Sequence, residues 1–288
     1  MSSGGGDDNN NGGGGSGGCS KGPVADSNYM GYSAPRKPER DGEWTVQGDH
    51  IVVSKAPAKP VGCTANVQMP EAGKTYDWKE FFTMYGKAKL TCAGWDQQKH
   101  DHIKRKSVTN GNCSGAPYFT YDNLAMGAAM FPDFLGSDYA TTNSLELAGF
   151  MANSSKETTG GWASEGYSGW GWCFGFEVGH PSGNYGNQDN LNNATCAAWG
   201  NQTATLSSSF KEASMNYGYF GRGGFQLSWC YNYGWFRNYV ENYLGLPRTP
   251  ERDFLANPGF VATEWPFPSA LWFWMSPESS NNKPSMHS

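Results

Sequence analysis

Between residues 44 and 53 apolar and polar positions alternate, with Trp44-Thr45-Val46 and Ile51-Val52-Val53 set on either side of Gly48-Asp49. That pattern predicts a β-hairpin. From Asp77 onward the apolar spacing lengthens to that of a helix. Thr120 can cap a helix that lines up Leu124, Ala128 and Phe131 on one face and stops at Pro132. Asn143, with Glu146 three residues on, has the form of a capping box. The helix it would open places Leu147, Phe150, Met151 and Ser154 on one side and delivers Glu157 at its C-terminal end. Residues 163–215 are rich in Gly, Ser, Asn and Trp without a sustained period; a loop that long in a compact domain usually carries function. Helical spacing returns from Trp235 to Leu244, through Phe236, Tyr239, Val240 and Tyr243, with Gly245 as its stop. Pro268 is placed to open a last apolar helix, Ser269 to Met275, as its first residue. A mostly α fold with long irregular loops follows.

The N-terminal part differs. Residues 1–18 are Gly/Asn/Asp/Ser low complexity and cannot bury enough apolar surface to order themselves. Residues 19–76 carry Pro35, Pro38, Pro57, Pro60 and Pro70 around the hairpin. The expected division is therefore 1–76 as a low-complexity region and linker with a local hairpin, or the remnant of a small accessory module, and 77–288 as the main folded unit.

Composition narrows the function classes. Only 16% of residues are charged, against roughly 25% in an average domain. The net charge is −5, and the densest basic run, Lys104-Arg105-Lys106, reads as a solvated loop, so nucleic acid is not an expected partner. Aromatic residues make up 15%, with 12 tryptophans, which favours carbohydrate only weakly. Seven cysteines lie scattered with no Cys-x-x-Cys pair, and the five histidines show no metal-ligand spacing, so neither metal nor cofactor is expected. Glycosylation sequons at Asn193 and Asn201, with less informative ones at Asn112 and Asn153, fit an oxidising secretory route. The polar start Met1-Ser2-Ser3-Gly4 has no signal-peptide core, so either the true start lies upstream, as expected for a secreted protein, or the protein is intracellular. No run of about 18 apolar residues exists to span a membrane.

Against this sparse charge, two carboxylates stand in apolar, Gly/Trp-rich surroundings. Glu157 lies in Ser155-Lys156-Glu157-Thr158-Thr159-Gly160-Gly161-Trp162, and Glu177 follows Gly169-Trp170-Gly171-Trp172-Cys173-Phe174. Hydrolysis of a β-linked sugar polymer needs such a pair. One carboxyl is kept protonated in a partly desolvated place; the other is ionised and holds a water on the opposite face of the sugar. Inversion requires about 6.5–9.5 Å between them. Glu157, against Trp162, suits the acid, and Glu177 suits the base. Gln226 and Ser228 offer an amide and a hydroxyl to hold the water. The run Gly221 to Gly224 lacks the Gly-Lys-Ser/Thr ending of a phosphate loop.

Five stretches, in order, resemble the catalytic domain of the family 19 chitinases. They are Tyr118-Phe119-Thr120-Tyr121-Asp122 with Phe131-Pro132; Glu157 to Trp162; Trp172-Cys173-Phe174 with Glu177; Tyr219 to Gly223 with Gln226-Leu227-Ser228 and Tyr231 to Gly234; and Val261-Ala262-Thr263 with Ala270 to Met275. The resemblance implies a lysozyme-like, two-lobed helical fold and inverting endo-hydrolysis of β-1,4-linked N-acetylglucosamine by a monomer. It implies Glu157 as acid, Glu177 as base and Ser228 as the holder of water, aided by Thr159. It also implies sugar contacts from Gln226, Tyr231, Asn232 and Tyr185, and a disulfide between Cys113 and Cys173. Cys196 and Cys230 are a further candidate pair, Cys19 is the expected odd cysteine, and the partners of Cys63 and Cys92 stay open. Lys156 stands where the family usually has His, Pro268 where it has Lys, and the chain ends at Ser288 where relatives continue. Two alternatives accompany the chitinase reading: a catalytically weak chitin-binding relative, and a hydrolase acting on peptidoglycan.

Overall fold

The computed structural model describes residues 43–108, 113, 115–159, 171–177, 218–277 and 286–287. The hairpin forms as its alternation requires. β1 (Trp44–Gln47) pairs antiparallel with β2 (His50–Val53), Trp44 opposite Val53 and Gln47 opposite His50. The two-residue turn has Gly48 at φ 63°, a conformation glycine adopts at no steric cost. A third strand not foreseen from the pattern, β3 (Thr75–Asp77), joins the free edge of β2. Trp44, Ile51 and Val53 are buried, and the Trp44 ring lies 5.1 Å from Phe81 and 5.8 Å from Phe82. The hairpin thus forms part of the same core as the helices.

α1 (Trp78–Cys92) starts where Asp77 caps it, its carboxylate accepting from the amides of Lys79 and Glu80. Trp78, Phe81, Phe82, Tyr85 and Lys89 share its buried face. α2 (Gln97–Val108) follows, and α3 (Tyr121–Met130) begins at Thr120, whose hydroxyl accepts from Asn123 N. α1 and α3 touch backbone to backbone: a Cβ on Gly86 would fall 1.7 Å from the Ala125 carbonyl oxygen. The buried Lys89 ammonium donates to the carbonyls of Ala128, Phe131 and Pro132 at 2.9, 3.0 and 3.3 Å. A cation there satisfies the open carbonyls and the negative end of the α3 dipole.

α4 runs from Ala140 to Thr158, so it starts before the expected capping box. Asn143 and Glu146 lie inside the helix, where they bind the preceding loop instead of capping. The Asn143 amide exchanges two hydrogen bonds with the Ser137 backbone, and Glu146 Oε2 accepts from Leu135 N at 2.8 Å. Leu147, Phe150, Met151 and Ser154 form the buried side, as their spacing predicts. α5 (Cys230–Asn238) continues into a π turn (Tyr239–Tyr243) and ends near Gly245 at φ 76°. After α6 (Phe260–Thr263), α7 (Pro266–Met275) is opened by Pro266 rather than Pro268, with Trp272 and Trp274 buried as core residues. α7 packs against α3. The described residues are therefore mostly α, as expected. Cys63–Cys92 ties the Pro-rich segment to the end of α1, and Cys113–Cys173 forms as the resemblance implies. Cys230 is also disulfide-bonded; Cys19 and Cys196 lie outside the described residues. Among the described residues no helix is long and apolar enough to cross a membrane.

Candidate active site

The last turn of α4 is organised around Thr158. Its hydroxyl donates to Ser154 O at 2.6 Å and accepts from Trp172 N at 2.7 Å, and its carbonyl accepts from Cys173 N and Phe174 N at 3.1 and 2.9 Å. Successive helical residues point about 100° apart, so burying Ser154 and Thr158 turns Lys156 and Glu157 outward. Both are exposed. For Glu157 this departs from the partly desolvated position expected of an acid, because Thr158 takes the inward place. Trp162, expected beside Glu157, lies outside the described residues, as does Tyr185. Thr159 is buried, its hydroxyl donating to Lys156 O at 2.9 Å.

The strip 171–177 runs from that turn to Glu177. The disulfide to Cys113 and the bond from Gly115 N to Cys173 O at 2.8 Å anchor one side. Trp172 is fully buried at φ 52° and stacks on His100, ring centres 4.7 Å apart. Further on, Gly223 N donates to Gly175 O at 2.9 Å, Phe176 bridges to Arg222, and Glu177 N donates to Gly221 O at 2.9 Å. The Glu177 carboxylate then accepts from Gly221 N at 2.9 Å. A Cβ on Gly221 would lie 3.0 Å from Gln226 Oε1 and 3.2 Å from Glu177 Oε2. Glycine is what lets the backbone approach both side chains.

Under this strip sits Arg222, fully buried. Its Nη1 donates to Gly218 O, Phe220 O and Tyr233 Oη at 2.9, 3.3 and 2.9 Å, and its guanidinium lies 3.8 Å from the Phe220 ring centre. Tyr233 donates to Phe220 O at 2.7 Å, and burial pushes its phenol up to about 12. Sequence reasoning gave Arg222 no role. Its signal was a lone charge inside an apolar, glycine-rich run.

Gln226, at φ 50°, donates from Nε2 to Gly223 O at 3.0 Å and to Phe174 O at 3.4 Å. The Phe174 peptide therefore links the end of α4, through Thr158, to Gln226. Ser228 Oγ donates to Gln226 O at 2.9 Å, and Asn232 Nδ2 donates to Ser228 O at 2.8 Å. Asn232 is buried, with Oδ1 lacking a hydrogen-bond partner among the described residues. Tyr231 is half-buried and stacks with Trp229. One hydrogen-bonded network thus joins the turn bearing Glu157 to Glu177, Gln226, Ser228 and Asn232. Among the described residues no cluster of His, Cys, Asp or Glu could hold a metal ion.

A model of the chitinase class I family matches residues 97–288, more than half of the sequence. The chain belongs to the class I chitinase family. Endochitinase A2 of Pisum sativum is 38% identical over 186 residues, covering 63% of this chain and 47% of that protein. Basic endochitinase of Vitis vinifera is 34% identical over 195 residues, covering 65% and 50%. The chain spans about half the length of the curated relatives it matches. A solved structure, chitinase C from Streptomyces griseus HUT6037, aligns with a TM-score of 0.35 at 22% identity over 62% of this chain and 65% of that one, a likeness too loose to carry an argument. The family match begins at the first residue of α2, so the class I chitinase core of this chain is completed by α1 and a β-sheet that precede the matched region.

Proposed function

We propose that this class I chitinase relative cleaves internal β-1,4 bonds of an N-acetylglucosamine polymer, chitin or chitooligosaccharide, with inversion. Glu157 protonates the leaving oxygen, Glu177 takes the proton of the attacking water, and Ser228 Oγ helps hold that water. Gln226, Tyr231, Asn232, Thr159 and Tyr185 bind sugar, with no cofactor involved. The observation that carries the reading is the two-point attachment of Glu177 to Gly221, through backbone and carboxylate, on a strip fastened to the last turn of α4. A carboxylate so fixed suits a base that must meet a water in one geometry. The disulfides fit a protein that matures in an oxidising, secretory compartment and acts outside the cell as a monomer.

The test is hydrolysis of chitohexaose by the wild type and by Glu157→Gln and Glu177→Gln. Each variant should lose about 10²–10⁴-fold in kcat while still binding the oligomer. Full activity in either variant would remove that residue from its role. The exposure of Glu157 supports a second reading, a weakly active chitin binder. It is distinguished by retention on chitin without release of soluble sugar from the wild type.

A further inference from the structure

Trp229 is a large aromatic residue left 38% exposed, next in sequence to Ser228. Its backbone sits at φ 74°, ψ 136°, a region that is strained for a residue with a side chain and that glycine occupies more readily. The fold holds it there firmly: Trp229 N donates to Tyr219 O at 2.7 Å, and Trp229 O accepts from Asn232 N and Tyr233 N at 3.1 and 3.3 Å at the start of α5. An indole in strained backbone, substantially exposed, is a poor choice for stability alone. Its ring lies close to parallel with that of Tyr231, centres 6.2 Å apart and planes 19° apart. The two side chains therefore build an offset aromatic shelf. Ser228, whose Oγ donates to Gln226 O at 2.9 Å, immediately precedes Trp229 in the chain.

From this arrangement we infer that Trp229 is a sugar-binding residue, whose indole face, extended by Tyr231, carries one pyranose ring of the substrate next to the hydrolytic water. The inference rests on the proposed chitin-cleaving activity and adds a residue to it. In a β-1,4-linked N-acetylglucosamine chain the ring substituents are equatorial, so each ring presents flat C–H faces that suit an aromatic plane. Apolar contact along the shelf with a few fixed polar groups at its edge is the usual construction of a small-molecule site. The contact acts on ground state and transition state alike, so its loss should appear in KM rather than in kcat.

The experiment compares Trp229→Leu and Trp229→Phe with the wild type, using chitohexaose for steady-state kinetics and for direct binding by calorimetry. Leucine keeps an apolar group but removes the flat π face; phenylalanine retains a ring and so serves as the conservative rescue. Trp229→Leu should raise KM and the Kd for chitohexaose about tenfold, with kcat within about threefold, while Trp229→Phe stays within about threefold of wild type on all counts. Equal KM values in all three proteins, with the wild type cleaving normally, overturn the shelf and leave the activity standing. A wild type that binds without cleaving, with Kd raised only in the Leu variant, supports the shelf while the activity fails. A wild type that neither binds nor cleaves chitohexaose overturns both. Should the Leu variant fail to fold, Trp229→Gly, which suits the positive φ of this position, takes its place: a KM raised about tenfold supports the shelf, and a KM within about threefold of wild type overturns it.

Discussion

Acidification should loosen this fold through His100. The imidazole is fully buried in α2, stacked on Trp172 and edged by Phe267 and Tyr121. Nε2–H donates to Phe119 O at 3.0 Å, and the buried Nδ1 has no partner among the described residues. Burial, only partly opposed by the Phe119 carbonyl, lowers its pKa from 6.5 to about 4; Asp101 and Asp122 add small upward pulls and Lys104 a downward one. Between those values the unfolded chain takes up a proton that the folded chain refuses. The neutral histidine therefore leaves stability intact above pH 6.5, drains it as the pH falls to about 4, and has no further effect below. A difference of about 2.5 pK units corresponds to roughly 3 kcal/mol, a large share of the ~5–15 kcal/mol that holds a domain together. Urea unfolding at a series of pH values, for wild type and His100→Gln, isolates this contribution. Glutamine retains an N–H donor for Phe119 O but does not titrate, and the carboxylates titrate in both proteins. The wild type should lose about 3 kcal/mol more than the variant across that window. Parallel pH profiles would refute the reasoning.

Other consequences can be checked separately. Gly221→Ala sets a methyl 3.0 Å from Gln226 Oε1 and 3.2 Å from Glu177 Oε2; kcat/KM on chitohexaose should drop about tenfold, with a melting temperature shift of only about 2–4 °C, and unchanged kinetics would contradict the positioning of Glu177 by Gly221. Replacing Cys113 and Cys173 together by serine frees a loop with a sequence separation of 60 and should cost about 4 kcal/mol in urea unfolding; a loss below about 1 kcal/mol would show that the bond constrains little. His287 donates to Glu146 at 2.5 Å, a hydrogen bond that raises its pKa above 6.5. Its stabilisation is complete below pH 6.5 and fades as the pH rises through the raised folded value, so His287→Ala should lower the melting temperature at pH 6 more than at pH 8.5. An equal loss at both pH values would contradict this.

Much of the local structure could be read from the chain because neighbouring residues decide it. The Gly48-Asp49 turn, the Thr120 cap and the delivery of Glu157 at the end of α4 all depend on short-range pattern. β3 was invisible because three residues are too few to show alternation. Asn143 and Glu146 satisfy a capping pattern, yet they lie inside α4 and bond the loop at Ser137 and Leu135. Pro266 and Pro268 each suit a first helical turn, and sequence spacing does not choose between them. The Cys63–Cys92 bond could not be read because cysteine spacing leaves connectivity open. At the candidate site, the motif residues were recognisable, but their supports were not. Arg222 and His100 find their partners in carbonyls of Gly218, Phe220 and Phe119, contacts set by the path of the backbone.

The central claim is that Glu157 and Glu177 act as acid and base on a water, with no glycosyl-enzyme intermediate. The anomeric configuration of the freshly formed product tests it most directly, followed by proton NMR of chitohexaose cleavage in the first minutes, before mutarotation. Direct displacement by water predicts that the new reducing end appears as the α-anomer. Appearance of the β-anomer would show retention, and with it an enzyme nucleophile that this account does not contain.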